Sequence, residues 1–373
     1  MLRMQNFDVL VVGGGPAGAS CAGALRQHGL NVLLIDRAVF PRDKVCAGCI
    51  TPAVVEALGL DLAAYGRTHV LQPFQGFRTG LIGGAQLENR YPSPVSYGIR
   101  RVEFDHHLLL RAGVKMQLGV TVRTVEQRQQ QWVINNAYSA PMLVGAGGNF
   151  CPIARLLDGR TGVAPVVAAQ EIEFLMSPQQ ARDCAVRADT PELFFCHDLK
   201  GYGWCLRKGE HLNIGLGRES CSQLPSRLND FCTWLQAQGS IPERLPRGFR
   251  GHAYRLWGSG PQNRTGDGML LIGDAAGLAR PQSGEGILPA VQSGLLAARV
   301  IAQAAGDYRQ QNLADYPRQL QSAYGKAAEP RPLPGVQGLR AGLGRALLGS
   351  RWFSRHVLLD RWFLHPGQIR PAG

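Results

Sequence analysis

Apolar residues follow two rhythms along this chain. Near the start, Phe7 to Val12 is an almost unbroken apolar run, as in a strand buried on both faces of a parallel sheet. Residues Ala17 to Gln27 have helical composition, and Asn31 to Ile35 is a second apolar strand that stops at Asp36. The same rhythm returns at Met269 to Ile272, where a strand leads into a turn of small residues. A helix then runs from Gly284-Glu285-Gly286 to about Gln303. In between, VVAAQEIEFLM (166–176) and LNIGLGRES (212–220) alternate apolar with polar positions, which predicts an antiparallel sheet. Strands and helices in this order predict an α/β protein.

The turn after the first strand reads Gly13-Gly14-Gly15-Pro16-Ala17-Gly18 and fits G-x-G-x-x-G. Gly13 permits the tight turn, Gly15 lets backbone approach a pyrophosphate, and Gly18 lets the helix pack close to the strand. The helix N-terminus offers free N–H groups and the positive end of its dipole to phosphates. Asp36 lies 18 residues beyond Gly18, placed to accept bonds from a ribose diol. Strand, glycines, helix, strand and acid in that order predict a Rossmann-type dinucleotide-binding domain. On their own they do not separate FAD from NAD.

Composition narrows the class. The chain is 45% hydrophobic and 18% charged, which argues against disorder, and its 373 residues can bury a sizeable core. No run of about 18 apolar residues occurs, so no membrane span is expected. The net charge of +13 is compatible with nucleic acid, an anionic membrane, an anionic substrate or simply a basic surface. No nucleic-acid motif accompanies the charge, so no nucleic-acid partner is expected. Nine cysteines, an odd number, occur without a recognisable secretory signal, which predicts reduced thiols and a cytoplasmic protein.

Two of those cysteines, Cys46 and Cys49, stand in C-x-x-C spacing within FPRDKVCAGCITP (40–52). Zinc needs about four ligands, and no second such pair or spaced Cys/His set appears, so no metal is expected. A redox dithiol, a single thiol lining a pocket and an inert wall remain as readings of the pair.

Residues 268–294, GMLLIGDAAGLARPQSGEGILPAVQSG, resemble the second fingerprint of FAD-dependent oxidoreductases built like the aromatic hydroxylases and the geranylgeranyl reductases. The resemblance implies that Gly273 and Asp274 meet the ribityl chain. It also brings Gly284, Gly286 and Ile287 to the pyrimidine edge of the flavin, where reduced flavin carries negative charge. YGIRRVEFDHHLLLRA (97–112) is similar to the family's Arg, Phe-Asp, helix pattern. Arg101 would then be a flavin or phosphate contact, with Asp105 capping or bracing the helix. GVTVRTVEQRQQQWVI (119–134) resembles the strand pair that gives backbone contacts to adenine, with Val122 among them. PMLVGAGGNF (141–150) resembles the strand and turn that re-enter the FAD domain, with Gly147 at the cofactor. Hydroxylases have Gly-Ala-Asp-Gly where this chain has Gly145-Ala146-Gly147-Gly148. GYGWCLRKGEHLNIGLG (201–217) partly matches the Tyr-x-Trp-x-Phe-Pro segment of geranylgeranyl reductases, which makes Tyr202 and Trp204 candidate substrate contacts. The cysteine stretch resembles the family's Pro-x-x-Lys-x-Cys-Gly-Gly segment beside the isoalloxazine ring. This implies cofactor contacts at Lys44, Cys46 and Ala47, alongside Pro16, Ala17 and Arg37 at the first fingerprint.

The fold implied is a Rossmann-type FAD-binding domain (1–75, 97–160 and 255–310) with an inserted antiparallel-sheet substrate domain (76–96 and 161–254). Residues 311–373 form a C-terminal helical region. The reaction implied is hydride transfer at flavin N5 to or from a carbon–carbon bond of an apolar, prenyl-like or carrier-bound substrate. Cys46 and Cys49 are the catalytic candidates, and NAD(P)H or another compound is the electron donor. Two alternatives stand beside it: an oxygen-using monooxygenase or halogenase acting on an aromatic substrate, and a non-catalytic flavin-binding partner of a carrier protein. Residues 331–373 hold seven Arg, one Asp and no Lys or Glu. Drawn as a helix, RWFSRHVLLDRWFLHPG (351–367) gathers Trp352, Phe353, His356, Val357, Leu359, Phe363 and Leu364 on one face, with Arg351, Ser354, Arg355 and Arg361 mostly opposite. That face is expected either to pack over the substrate region or to rest peripherally on an anionic membrane.

Overall fold

The computed structural model describes residues 4–158, 166–219, 222–261, 263–325 and 337–365. The chain divides into two compact units. The first comprises Met1–Asp43, Val102–Pro165 and Tyr254–Glu329, and the second Lys44–Arg101, Val166–Ala253 and Pro330–Gly373. Residues 44–75, read from sequence as part of the cofactor domain, cluster in the second unit. There Cys49–Ile50 and Leu71–Phe74 both pair with Ser96–Ile99 in a three-stranded sheet.

The first unit is built on a six-stranded sheet. Val9–Val12 lies parallel between Val32–Asp36 and Met142–Gly145, with Lys115–Leu118 beyond the former and Met269–Leu271 beyond the latter. Thr265–Gly266 adds a short antiparallel edge. All four residues of Val9–Val12 are buried, which is why the strand reads as continuously apolar rather than alternating. Strand order reverses at this central strand, the place where doubly wound sheets bind ligands at their carboxyl ends. Helix Pro16–Gln27 packs against helix Ile287–Gln303 so closely that a Cβ at Gly294 would lie 2.4 Å from the Ala17 carbonyl oxygen. A separate sheet orders Gln5–Asn6, Tyr138–Ala140, Gln131–Ile134 and Val125–Arg128. The hairpin read over 119–134 is shorter than expected. Residues 121–124 form no strand, and the Asn135 side chain ties them through Thr121, Arg123 and Thr124 backbone.

The second unit carries a seven-stranded sheet ordered Arg250–Tyr254, Val167–Leu175, His211–Arg218, Gly201–Lys208, Glu192–Phe195, Gly76–Leu81 and Gln86–Arg90. From Val167–Leu175 to Gln86–Arg90 its pairs are antiparallel except Glu192–Phe195 with Gly76–Leu81, two strands that come from separate passes of the chain. Period-two alternation sorts its faces. Ile172, Cys205, Ile214 and Leu216 face helix Leu224–Ala237, which supplies Leu228, Phe231 and Leu235. Trp204 and Leu206 pack on the other face with Phe74, Phe77, Leu359 and Leu364.

The C-terminal helix corrects the helical-wheel reading. Phe353–Leu364 winds as a π-helix, whose i→i+5 bonds widen the turn. Ser354, Leu358, Leu359 and Leu364 are therefore the buried residues, and Trp352 is 67% exposed. Ser354 Oγ accepts from Asn89 Nδ2 at 2.8 Å and shares a hydrogen bond with Thr79 Oγ1 at 2.7 Å. Phe363 meets Phe195 and Tyr202 edge-on.

Candidate functional site

The two glycine turns, some 260 residues apart in sequence, come together in the first unit. Gly13 has φ +119°, and a Cβ there would stand 2.3 Å from the Ala146 carbonyl oxygen and 2.8 Å from Gly147 N. A Cβ on Gly18 would fall 1.8 Å from Gly13 O, so helix and turn share space only because both positions lack one. Gly273 reaches the same helix, with its missing Cβ 2.9 Å from that of Ala17. Gly286, the residue before helix Ile287–Gln303, stands beside Asp274; a Cβ there would be 3.3 Å from Asp274 Oδ1. Gly13, Pro16, Ala17, Gly18, Gly147, Gly273, Asp274, Gly286 and Ile287 thus form one neighbourhood at the carboxyl ends of the strands. A Cβ on Gly284 would meet Tyr254 Oη at 2.4 Å, which leaves no room for a side chain.

The first turn suits a diphosphate. Helix Pro16–Gln27 begins after Gly15 with no side-chain cap and no acid in its first turn, leaving N–H groups and positive dipole uncompensated. Asp36 accepts from Gly14 N at 2.6 Å and from Ala38 N at 2.8 Å, so two of its about four lone-pair sites remain for a ribose diol. Arg37, the next residue, is exposed.

The arginine beside the turn is Arg42, which sequence reading passed over. Its Nη2 would lie 3.6 Å from a Cβ on Gly15. The fully buried Asp105 holds it at 3.1 Å, and the Phe40 ring lies under its Cζ at 4.7 Å. Among the described residues Nη1 is buried without a hydrogen-bond partner. A buried guanidinium nitrogen with no acceptor is costly, and a phosphate oxygen would satisfy it. Asp105 therefore braces Arg42, a task added to the helix bracing read from sequence. The only prior signal was the family-like position of Asp105.

Val122 is half-buried in the Asn135-tied segment of the same unit. The Gly147 departure has a steric correlate: a Cβ there would press to 3.3 Å from both Cα and Sγ of Cys151, so an aspartate would require Cys151 to give way.

Lys44, Cys46, Ala47, Cys49, Arg101, Tyr202 and Trp204 belong to the second unit. Lys44 Nζ donates to His252 Nε2 at 2.5 Å. Arg101 is buried at the head of helix Arg101–Ala112. Tyr202 is half-buried, 6.1 Å from Trp204 between ring centroids. Trp204 is a core residue whose Nε1 donates to Asn213 Oδ1 at 2.7 Å.

Neither Cys46 nor Cys49 is in a disulfide, and the turn bearing them is gripped by buried polar side chains. Cys46 N donates to Glu171 Oε1 at 2.6 Å, and Asn213 Nδ2 reaches Cys46 O at 3.4 Å. Lys208 Nζ donates to Ala47 O and to Ile99 O, each at 3.0 Å, and forms an ion pair with Glu173. Gly48 N donates to Cys46 Sγ at 3.4 Å. Gly48 has φ +67°, and its missing Cβ leaves room for Ile99 O at 2.2 Å and Lys208 Nζ at 2.7 Å, which are this chain's own atoms. Burial pushes the Glu171 carboxyl up to about 7, against the lowering effects of Cys46 N–H, Lys208 and Asn213. Burial acts on Glu173 too, but Lys208 beside it holds its carboxyl below the usual range. Sequence reading missed this network. Its one trace is QEIEF, where Glu171 and Glu173 occupy same-face positions on either side of Ile172.

The strand order, the paired glycine turns and the unsatisfied arginine at their diphosphate end define an FAD-dependent oxidoreductase. A pyridine nucleotide-disulphide oxidoreductase family model matches residues 7–137. Menaquinone reductase of Mycobacterium tuberculosis is 31% identical over 325 residues, which span 80% of this chain and 77% of that one. Digeranylgeranylglycerophospholipid reductase of Methanocaldococcus jannaschii is 27% identical, over 84% of this chain and 81% of that one. A solved geranylgeranyl bacteriochlorophyll reductase-like protein from Thermoplasma acidophilum shares the fold at a TM-score of 0.74. The match has 21% identity and covers 93% of this chain and 88% of that one. The chain belongs to the geranylgeranyl reductase family.

Proposed function

We propose that this enzyme saturates a carbon–carbon double bond in the prenyl chain of a lipid. FAD, when bound and reduced, supplies the hydride to one alkene carbon. The other carbon needs a proton, and the Cys46 thiol donates it, with the thiolate regaining a proton from solvent. The observation that carries the reading is the company the thiol keeps. Val45, Ala47 and Cys49 pack on an apolar cluster of Phe74, Phe77, Trp204, Leu206, Leu359 and Leu364, with Tyr202 and Phe363 alongside. Such a surface suits a hydrocarbon chain and carries little to orient a polar ring. The reductase names of the relatives from M. tuberculosis and M. jannaschii agree with it.

Anaerobic reduction of the FAD-loaded protein, incubation with menaquinone or a geranylgeranyl lipid, and mass spectrometry of the product test the reading. A gain of two hydrogens is expected. Cys46→Ala is expected to slow turnover by about 10²-fold, the usual share of a general acid, with FAD still bound and the melting temperature unchanged. Oxygen incorporated into an aromatic substrate would replace this reading with a monooxygenase. Unchanged turnover in Cys46→Ala would remove the thiol from the chemistry.

A lipid substrate fits a membrane-surface enzyme. Among the described residues no helix is long and apolar enough to cross a membrane. Leu343 and Leu347 of helix Gln337–Leu348 are exposed, as are Trp352 and the neighbouring Arg345 and Arg351, a combination suited to anionic headgroups. Deleting the tail is a poor test because Leu358, Leu359 and Leu364 are part of the fold. The variant Leu343→Ser with Trp352→Ser is expected to float with anionic vesicles less than the parent at equal stability. Equal flotation would rule out this contact.

A further inference from the structure

The buried polar island under the thiol turn has a property the proposed reaction does not use. Glu171, Glu173, Asn213 and Lys208 all point to one face of the seven-stranded sheet, because Glu173 and Asn213 are register partners and Lys208 follows Leu206 on Asn213's other neighbour. On that face Glu171 has two jobs at once. Oε1 accepts the Cys46 amide at 2.6 Å, and Oε2 accepts Asn213 Nδ2 at 3.3 Å. The same Asn213 nitrogen lies 3.2 Å from Glu173 Oε2, and the Asn213 oxygen is occupied by Trp204 Nε1 at 2.7 Å. Asn213 therefore cannot turn its amide around to accept a proton from Glu171 without abandoning Trp204 and Glu173.

We propose that Glu171 is a positioning residue whose ionisation locks the Cys46 turn, and that its protonation releases the turn. As a carboxylate it accepts from Cys46 N–H and Asn213 N–H together. A proton on either oxygen takes up a lone pair and removes the charge, so the two charge-assisted contacts become weaker neutral ones and the hold on the turn slackens. The charged and titratable groups facing Glu171 are Glu173 on its own strand, Lys208 on the strand Gly201–Lys208, and Cys46 on the turn; Asn213 faces it as a neutral amide. Arg100 acts at one remove, holding Glu173 at 3.2 Å. Burial sets the carboxyl near 7, so the switch falls in the neutral range. Folding favours the protonated form. Its contribution to stability is full below the ordinary carboxylate range and is lost as pH rises through about 7. Locking the thiol turn therefore costs stability. The link from turn to catalysis rests on the proposed role of Cys46; the lock itself does not.

Amide hydrogen exchange of the peptide carrying Cys46, in the full FAD-loaded chain between about pH 5 and pH 8 and corrected for intrinsic rates, tests it without substrate. Protection of the turn is expected to rise roughly tenfold as pH passes through neutrality, the effect of one hydrogen bond to a charged group. In Glu171→Gln, whose amide mimics the protonated acid, protection should stay low and flat. Glu173→Gln removes a like charge and frees Lys208 to favour the carboxylate, so the inflection should move to lower pH; this decides the matter if Glu171→Gln fails to fold. A wild-type protein with no inflection, or an unmoved inflection in either variant, overturns the lock. If the lock holds, kcat in a working assay should follow the same inflection with KM unaffected. A kcat profile without it would separate turn from chemistry while leaving the exchange result intact.

Discussion

Gly18→Ala yields a colourless protein. The added methyl would sit 1.8 Å from the Gly13 carbonyl oxygen and 3.2 Å from the Ala146 Cβ, backbone and sheet that cannot move aside without opening the turn. Overpacking of this kind costs about 1–3 kcal/mol where the surroundings can yield, and more where they cannot. The helix N-terminus and Arg42 both lose their alignment, so FAD affinity should fall by at least about 10²-fold and the melting temperature should drop with it. Gly15→Ala is the contrasting case. Its Cβ meets only Arg42 Nη2, at an ordinary 3.6 Å, so the fold survives and the melting temperature of the flavin-free protein should match the parent. Flavin affinity should still fall, because the methyl occupies the side from which the diphosphate approaches. Visible absorbance, fluorescence titration with FAD and thermal melts of the two variants separate the effects. A Gly18→Ala protein that purifies yellow with parental affinity would contradict the assignment of this turn.

Lys208→Met is expected to be the most destabilising single change in the second unit. Lys208 is fully buried and joins Glu173, Ala47 O and Ile99 O, so it ties two sequence-distant segments to one sheet face. Methionine matches its length but donates no hydrogen bond. Breaking a buried pair from one side costs about 3–5 kcal/mol, because the partner charge stays buried. For a unit of this size that lowers the melting temperature by on the order of 10 °C. Adding Glu173→Gln should recover part of the loss by removing the stranded charge, although Arg100 already shares it. Calorimetry of the single and double variants checks the sign. Recovery distinguishes a charge effect from a packing defect, and a double variant less stable than the single would refute the charge account.

The cofactor end of this enzyme was legible in the sequence because its geometry is local. A turn that must hold Gly13 at positive φ and let Gly18 touch Gly13 O can be read from six consecutive residues. Arg42 was not legible, since its position depends on Asp105, 63 residues away. The grip on the thiol turn was hidden for a similar reason. Glu171, Lys208 and Asn213 come from three strands whose register alone brings them to one face. C-x-x-C showed that a thiol site existed but not what holds it. The final helix misled the wheel because 100° per residue does not describe a π-wound segment, so Ser354, drawn opposite the apolar face, is buried.

The central sheet also has a consequence for how the chain is made. Met142–Gly145 receives its outer neighbour only from Met269–Leu271, whose first residue follows Gly145 by 124 positions. At about 5–20 residues per second, the ribosome leaves that strand edge uncovered for about 6–25 s. During this interval a nascent chain presents an apolar, unpaired edge of the kind that recruits foreign strands. Newly made protein is therefore most exposed to aggregation before residue 269 emerges, and slow translation across 146–268 would lengthen its dependence on chaperones.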